Sequence, residues 1–483
     1  MKITLIMPGV GRKLGEKYVN SWKMEPLPLA VLAAATPPEV EVCFYDDRLE
    51  AIPYDEPTDL VGINVETYTA RRSYAIAAQY RARVVPVVLG GYHPTLVPHE
   101  AMNFCDAIVE GEGEAVWPQV IEDAQNDQLQ KRYRQCGGHR SCSETFRARP
   151  RREIFAGKKY MPVTLIETGR GCPFSCEFCS VSQFFNHTAV ARQVDDVVAE
   201  VEASANRTVF FVDDNIVADM ARAKRLFAAL DSTKIRWLSQ GSITMADDPE
   251  LLRLMRRGGC RGILIGFESL SKATLSRMGK SWNNAVRDFD TSIQRIRDAG
   301  LAIYATFVFG YDTDDADAFE RTLDFAIHHK FYMAAFNHLV PFPGTPLYDR
   351  LKAENRLLSD PWWLDENYRF GDVAFQPRTM SAGELSTRCF EARKKFYRFG
   401  STLRRACDLK SNCRGLLDSA DYFWLNLFSG REMRKRQGLP LGDGFEDDAS
   451  ADLPKLNNHV AEVPRIIPFT HRKQEAYHGQ LHH

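Results

Sequence analysis

The stretch Gly169-Arg-Gly-Cys-Pro-Phe-Ser-Cys-Glu-Phe-Cys-Ser180 places three cysteines in a C-x3-C-x2-C pattern, at Cys172, Cys176 and Cys179. Thiolates are the usual ligands of iron–sulfur clusters, so this pattern predicts a loop that binds three irons of a [4Fe–4S] cluster. No fourth cysteine follows at the spacing of ferredoxins, which leaves one iron open for a small molecule. The alternative is a zinc site or buried free thiols. Structural zinc sites usually have four protein ligands, and no further cysteine pair or Cys/His pair lies nearby in the sequence.

Composition narrows the class of protein. The 483 residues are enough for two or three domains, and a net charge of −1 gives no sign of a nucleic-acid partner. Eleven unevenly spaced cysteines do not suggest a disulfide framework. The first apolar run is too short for a signal peptide, and no stretch is long and apolar enough to span a bilayer. We therefore expect a cytoplasmic protein in a reducing compartment.

The residues that precede the cysteine loop, 1–145, alternate short apolar runs with helical patterns. This rhythm predicts a Rossmann-like, doubly wound parallel sheet, whose ligands bind beyond the carboxyl ends of the strands. The expected strands are 3–7, 40–45, 60–65, 84–89 and 107–109. The loops at Pro8, 64–68, 90–95 and 110–114 should then surround one crevice.

Residues 126–160 are polar and basic, and their composition predicts a linker or an exposed excursion. Cys136, His139 and Cys142 in this segment form an incomplete metal-binding set, so we favour no metal site there.

Residues 146–350 repeat a strand–helix rhythm that predicts a partial (β/α)6 TIM-type barrel, with functional groups at the C-terminal ends of its strands. The expected strands are 163–168, 208–212, 235–239, 262–267, 303–309 and 334–340. Residues 351–483 predict a helical C-terminal region that mixes aromatic and basic side chains. Such helices lie on a lipid surface, close over an apolar substrate, or simply pack with a solvated charged face.

The cysteine stretch resembles the radical S-adenosylmethionine (SAM) superfamily, in which the open iron chelates SAM and the reduced cluster cleaves it to a 5′-deoxyadenosyl radical. The resemblance implies that Phe178 packs near the adenine. It also implies SAM contacts at the ends of three successive barrel strands, from Asp213, Asp214, Gln240 and Glu268. A carboxylate suits the SAM ammonium because charge-assisted hydrogen bonds are the stronger ones. The alternative at each position is turn or capping chemistry.

A doubly wound sheet before such a barrel resembles the cobalamin-binding branch of the superfamily, which includes hopanoid C-2 methylases. Gly90-Gly-Tyr-His-Pro-Thr95, Glu110-Gly-Glu-Gly-Glu114 and Pro341-Phe-Pro-Gly-Thr-Pro-Leu-Tyr348 carry this resemblance. It implies cobalamin contacts from the strand-end loops, at Pro8, Glu66, Thr67, Gly90, Gly91, His93, Thr95 and Glu112. The Asp-x-His-x-x-Gly sequence that ligates cobalt in methionine-synthase-type domains is absent, and we interpret His93 as loop structure near the cofactor.

The resemblance implies a cobalamin-dependent radical SAM enzyme that methylates an unactivated carbon, with cofactors [4Fe–4S], SAM and cobalamin. Its partners would be a small-molecule substrate, such as a lipid or a tetrapyrrole, and an electron donor such as flavodoxin or ferredoxin. A peripheral membrane contact is also expected, and no nucleic acid. Three alternatives stay open: a non-methylating ring-forming, ring-contracting or cyclase enzyme, a tRNA methylthiotransferase, and a non-catalytic iron–sulfur or cobalamin sensor.

Overall fold

An N-terminal sheet of six parallel strands carries the first half of the site. Its strands are β1 (Lys2–Met7), β2 (Glu41–Asp46), β3 (Leu60–Asn64), β4 (Val87–Gly90), β5 (Ala107–Glu110) and β6 (Arg132–Arg134), in the order β2-β1-β3-β4-β5-β6. The helices of this region are α1 (Leu27–Ala34), α2 (Ala70–Ala82), α3 (Tyr92–Leu96), α4 (Pro98–Ala101) and α5 (Trp117–Gln125). The computed structural model describes residues 1–13, 15, 23–135, 149–280 and 288–445.

The strand order confirms the predicted doubly wound sheet and fixes its crevice. The chain leaves β1 toward β2 and then returns to the other side of β1 to form β3, so the order reverses between β1 and β3. Ligands of such sheets bind at this switch point. Pro8 follows β1, and Glu66 and Thr67 follow β3, so all three lie at the crevice.

The prediction that residues 126–160 form a linker or an exposed excursion is wrong at two places, although most of their described side chains are exposed or partly exposed. Residues 132–134 add the sixth strand, where buried Tyr133 donates its hydroxyl to Asp123 Oδ2 at 2.7 Å. Phe155 is also buried, with its ring 5.2 Å from that of Phe44. A strand of three residues is too short to leave a periodic pattern in the sequence. Cys136, His139 and Cys142 lie outside the described residues.

A second sheet of six parallel strands forms the predicted partial barrel, which is open between its first and last strands. The strands are β7 (Thr164–Ile166), β10 (Thr208–Phe211), β11 (Arg236–Gln240), β12 (Cys260–Glu268), β13 (Ala302–Phe309) and β14 (Met333–His338), in the order β14-β13-β12-β11-β10-β7. A short antiparallel pair, β8 (Gly169–Gly171) and β9 (Ala189–Ala191), flanks the cysteine loop. The helices are α6 (Ser180–Phe184), α7 (Val194–Glu202), α8 (Met220–Leu230), α9 (Pro249–Arg257), α10 (Lys272–Arg277), α11 (Phe289–Asp298), α12 (Ala318–His328) and α13 (Pro346–Ala353).

The two faces of the barrel sheet differ in burial. Ile303, Ala305 and Phe307 of β13 belong to the core that the outer helices cover. Tyr304, between them, points to the opposite face and remains partly exposed. On β11, Leu238 alternates in the same way and is 39% exposed. The inner face of the barrel is therefore a solvent-reachable lumen rather than a filled core.

Among the residues described up to 445, three helices follow the barrel, α14 (Ala382–Phe396), α15 (Phe399–Ala406) and α16 (Leu416–Arg436), which confirms the predicted helical C-terminal region. The α14 segment covers the exposed edge of β14. Arg393 Nε donates to Phe336 O at 2.8 Å, and the Tyr397 hydroxyl donates to Ala334 O at 3.0 Å. An edge strand otherwise presents a row of unpaired backbone groups. No helix among the described residues is long and apolar enough to cross a membrane.

Candidate functional site

The three cysteines of the C-x3-C-x2-C loop lie between β8 and α6, and all three are free thiols. Burial raises the pKa of Cys172 to about 11, and the neighbouring Cys179 contributes to the rise. Burial likewise raises the pKa of Cys176 to about 12, against the positive charge of Lys280, which lowers it. Because burial disfavours the charged form, thiolates at these positions would need a positive centre such as a metal beside them. This donor set fits a cluster, in which each thiolate binds a separate iron.

The same thiols are not arranged around a single ion. Within the described ranges, no three His, Cys, Asp or Glu side chains converge on a point that could hold one metal ion.

Two barrel loops hold the cysteine loop in place. Glu177, between Cys176 and Cys179, donates its backbone N–H to Met278 O at 3.0 Å and accepts from Leu347 N at 3.0 Å. Its carboxylate also pairs with Arg350 at 2.7 Å. Gly279 has a φ of 74°, and a Cβ there would lie 2.8 Å from Ser175 O, so only glycine lets this turn approach the loop so closely.

A buried ion pair lies at the end of β12, beside the cysteines. Lys280 Nζ is 2.7 Å from Glu268 Oε1 and donates to Gly266 O at 3.0 Å. Glu268 adopts a φ of 60°, an uncommon conformation for a residue with a side chain. The predicted SAM residue Glu268 is therefore engaged by Lys280, which no sequence pattern had indicated.

The two aspartates at the end of β10 organise the start of the cysteine loop. Asp213 accepts from Thr168 N at 3.0 Å and from Thr168 Oγ1 at 2.7 Å, so both of its oxygens are used. Asp214 accepts from Gly171 N at 2.9 Å and remains partly exposed. Burial raises the pKa of Asp213 to about 6 and raises that of Asp214 as well. Of the two, Asp214 is the one with an oxygen left for a ligand.

The other two predicted SAM residues lie at the same end of the barrel. The Gln240 side chain, at the end of β11, is partly exposed and makes no hydrogen bond within the described part of the chain. Phe178 packs its partly buried ring against the barrel core. Both side chains therefore remain able to contact a ligand.

Arg170 joins the cysteine loop to the N-terminal sheet. Its guanidinium lies 2.7 Å from Glu112 and also pairs with Glu114, both in the loop that follows β5. On the barrel side, Arg170 Nε is 2.8 Å from Glu167 Oε1. The buried guanidinium of Arg170 thus pairs with three carboxylates, two from the N-terminal sheet and one from the barrel. Glu112, predicted to contact cobalamin, is engaged by this contact.

Tyr92 makes a second connection between the two sheets. Its ring lies 4.5 Å from that of Phe184, one turn beyond the cysteines. Burial raises the pKa of Tyr92, and the charges of Asp214, Cys179 and Glu66 raise it further. The Tyr92 hydroxyl therefore lies between the cysteine loop and the crevice of the N-terminal sheet.

Several residues that were predicted to contact cobalamin instead make hydrogen bonds within and between the strand-end loops. His93 is fully buried, and its ring nitrogens lie 3.3 Å from Thr67 Oγ1 and 3.0 Å from Glu100 Oε1. Thr95 Oγ1 donates to Gly91 O at 2.8 Å and accepts from Gly111 N at 2.9 Å. These contacts agree with the interpretation of His93 as loop structure.

Other predicted cobalamin residues lie around the crevice of the N-terminal sheet. A Cβ on Gly90 would meet only Val109, at 3.7 Å, so the backbone there is open to a large ligand. The Glu66 residue is exposed, yet burial raises the pKa of its carboxyl. Both observations hold if Glu66 faces an internal cavity, because surrounding protein displaces bulk water without touching the side chain. Pro8 is buried at the same edge.

Comparisons with known proteins agree with this arrangement. A model of the radical SAM superfamily matches residues 166–326. The bacteriochlorophyllide d C-12(1)-methyltransferase of Chlorobaculum tepidum is 28% identical over 393 residues, or 79% of this chain and 84% of that enzyme. The hopanoid C-2 methylase of Rhodopseudomonas palustris is 26% identical over 350 residues, or 70% of this chain and 66% of the methylase.

One solved structure extends the likeness to the fold of both sheets. The cobalamin-dependent S-adenosylmethionine radical enzyme OxsB, with aqua-cobalamin and S-adenosylmethionine bound, has a TM-score of 0.62 at 14% identity and covers 92% of this chain and 77% of its own. The cysteine loop lies within the matched barrel residues, at the mouth where the geometry places a cluster. Residues 166–326, the barrel part of the chain, therefore match the radical SAM superfamily.

Proposed function

We propose that this protein is a cobalamin-dependent radical SAM C-methyltransferase that acts on an unactivated carbon. The observation that carries the proposal is the contact of the cysteine loop with the carboxyl edge of the N-terminal sheet, through Arg170 and Glu112 at 2.7 Å. Tyr92 supports it, because its hydroxyl is near enough to Cys179 and Glu66 for charges from both edges to raise its pKa. A cluster and a corrinoid bound at these two edges would share one cavity, which coupled chemistry requires.

Each cofactor has residues suited to hold it. Cys172, Cys176 and Cys179 would ligate the cluster, and Phe178, Asp214 and Gln240 would contact SAM at the open iron. Asp213 and Glu268 would act indirectly, through Thr168 and Lys280. The cobalamin would lie over the loops that follow β1, β3, β4 and β5, at Pro8, Glu66, Gly90 and Gly91. Thr67, His93, Thr95 and Glu112 would hold the shape of these loops beneath it.

The cofactors supply the reactive chemistry, namely reductive SAM cleavage at the cluster and methyl donation at cobalt. The chain must aim them at one another and exclude water. The cluster also needs an external electron donor, for which a flavodoxin or ferredoxin of the cytoplasm is suited.

The substrate we propose is a tetrapyrrole. The bacteriochlorophyllide methyltransferase that aligns with most of this chain acts on one. The lumen of the barrel suits a broad, largely apolar molecule, since Leu238 is exposed on its wall and Tyr304 points into it.

The proposal is tested by reconstituting the cluster without oxygen, adding hydroxocobalamin and desalting. Retained corrinoid absorption beside the iron–sulfur band is expected. The loaded protein, given SAM with a labelled methyl group, a chemical reductant and a chlorophyllide, should form S-adenosylhomocysteine and a labelled pigment. Formation of 5′-deoxyadenosine alone, with an unmethylated product, would instead favour the ring-forming alternative.

Matched cysteine variants separate the cluster from general damage. Cys172→Ala should lose iron–sulfur absorption and SAM cleavage, because the cluster loses a ligand. Cys407→Ala, at an exposed thiol on the far C-terminal helices, should keep both. SAM cleavage at the native rate by Cys172→Ala would contradict the proposed cluster site.

We also propose that the C-terminal helices contact an anionic membrane surface. Most of the exposed large apolar side chains of the described residues lie on them or on the turn that joins the last two: Phe399, Leu403, Leu409, Leu416, Leu417, Phe423, Trp424 and Leu427. The exposed cations Arg431, Arg434 and Lys435 continue the face of α16. Apolar and basic side chains on one helical face are typical of interfacial helices.

Vesicle sedimentation tests this surface. The protein should sediment with phosphatidylglycerol-containing vesicles and much less with pure phosphatidylcholine. Trp424→Ser together with Leu427→Ser should abolish the binding while leaving SAM cleavage intact, since both side chains are exposed. Equal sedimentation of native and variant protein would refute the lipid contact.

A further inference from the structure

Two arginines approach the barrel lumen from the C-terminal helices. Arg393 is partly exposed, and burial lowers its pKa, so it faces enclosed rather than bulk water. Its positive charge acts on the hydroxyls of Tyr304, in the lumen, and of Tyr68, in the loop that follows β3. The Arg393 guanidinium is therefore within electrostatic reach of both the barrel lumen and the loop that follows β3.

Neither arginine has an anionic partner in the described residues. Arg393 uses only its Nε, on Phe336 O at 2.8 Å, and its two terminal nitrogens make no hydrogen bond or ion pair there. Arg436 lies with its guanidinium 4.7 Å from the Phe370 ring centroid, and its side chain makes no hydrogen bond or ion pair within the same ranges. Enclosed cations are costly unless they are paired. An anion from outside the chain would complete this site.

The side chains around Arg393 and Arg436 indicate what kind of molecule would carry the anion. The ring of Tyr68 lies 5.4 Å from that of Phe370, so aromatic side chains line the approach. Tyr304 is partly exposed, and its hydroxyl has no hydrogen-bond partner in the described part of the chain. A planar guanidinium with two free nitrogens suits a carboxylate, which it binds through two parallel hydrogen bonds.

We propose that Arg393, assisted by Arg436 and the Tyr304 hydroxyl, binds a carboxylate at the end of a large apolar substrate and so fixes which carbon faces the cofactors. This proposal rests on the proposed function for the place of the reaction, but the anion site itself does not depend on the reaction. Arg393 is a positioning residue here, because it would hold a part of the substrate that does not react.

Binding of matched acids and neutral analogues tests the site without turnover. The reconstituted full chain is titrated with chlorophyllide a and its methyl ester, and with palmitate and hexadecanol, by quenching of tryptophan fluorescence. We expect the native protein to bind one or both acids about tenfold or more tighter than the neutral partner, as charge-assisted hydrogen bonds imply. Arg393→Gln should lose this preference, and Arg398→Gln, at an exposed position next to α15, should keep it.

The outcomes separate the two proposals. A preference for palmitate alone that Arg393→Gln abolishes supports the carboxylate site and contradicts the tetrapyrrole substrate. No preference for either acid, or a preference that survives Arg393→Gln, overturns the carboxylate site, whatever the protein methylates. If Arg393→Gln unfolds, judged from its melting temperature, Tyr304→Phe replaces it, because this variant removes only the hydroxyl. A preference unchanged in Tyr304→Phe would then count against the site.

Discussion

Arg170 Nη1 lies 2.7 Å from Glu112 Oε1, so a residue two positions before the first cysteine pairs with the loop that follows β5 of the other sheet. Both side chains are almost fully buried. Glu114 and Glu167 share the same guanidinium. The position of the cysteine loop relative to the N-terminal crevice therefore depends on one charged cluster.

Replacing Arg170 by Gln should destabilise the fold strongly, because it leaves buried carboxylates without their cation. Removing one partner of a buried ion pair costs on the order of 3–5 kcal/mol. Urea denaturation of the cofactor-free protein measures the loss in free energy of unfolding. Adding Glu112→Gln to the Arg170→Gln background should recover part of it.

An exposed ion pair provides the control for Arg170. Arg321 and Asp315 are 2.8 Å apart, but both side chains are more than half exposed. Arg321→Gln should change the free energy of unfolding by at most about 1 kcal/mol, as for surface pairs in general. An equally small effect of Arg170→Gln would contradict the proposed coupling of the two sheets.

Glu167 should make stability depend on pH. Burial raises its pKa from the ordinary 4.5 to about 7, and the nearby charge of Glu114 adds to the rise against Arg170. Between these two values the folded state holds a proton that the unfolded state lacks. This contribution is fully present below pH 4.5 and is lost as the pH rises through about 7.

Urea midpoints across this pH range test the proton on Glu167. Glu167→Gln stays neutral at every pH, so its stability should decline less with rising pH than that of the native protein. Comparing the two curves cancels the titration of all other groups. Parallel curves would show that Glu167 is ionised throughout the range.

Local patterns made the cysteine loop and most strands predictable, because three closely spaced cysteines and short apolar runs are visible within a few residues. The contacts that use the site residues join distant segments. Glu112 was predicted to contact cobalamin but pairs with Arg170, which is 58 positions away. Arg393 lies in a helix whose sequence is typical of a solvent-exposed, charged face. Only the packing of α14 against β14 brings its side chain to the lumen.

Asp213→Asn distinguishes a structural aspartate from a SAM ligand. The native carboxylate accepts two hydrogen bonds from Thr168, and an amide can accept only through its oxygen. We expect a loss of about 1–3 kcal/mol in the free energy of unfolding. Thr168→Ala should cause a similar loss, and SAM affinity, measured by equilibrium dialysis, should fall alike in both variants. A much larger loss of affinity in Asp213→Asn alone would make Asp213 a direct SAM contact.

Lys280→Met should shift the reduction potential of the reconstituted cluster to more negative values. The Lys280 ammonium lies close enough to Cys172 and Cys176 to lower the pKa of both thiols, and its removal leaves the Glu268 carboxylate uncompensated beside them. Net charge near a cluster sets its potential, and added negative charge disfavours the reduced state. Redox titration followed by electron paramagnetic resonance measures the shift. The double variant with Glu268→Gln restores neutrality and should return the potential toward the native value, whereas equal potentials in the native protein and Lys280→Met would mean that this ion pair does not act on the cluster.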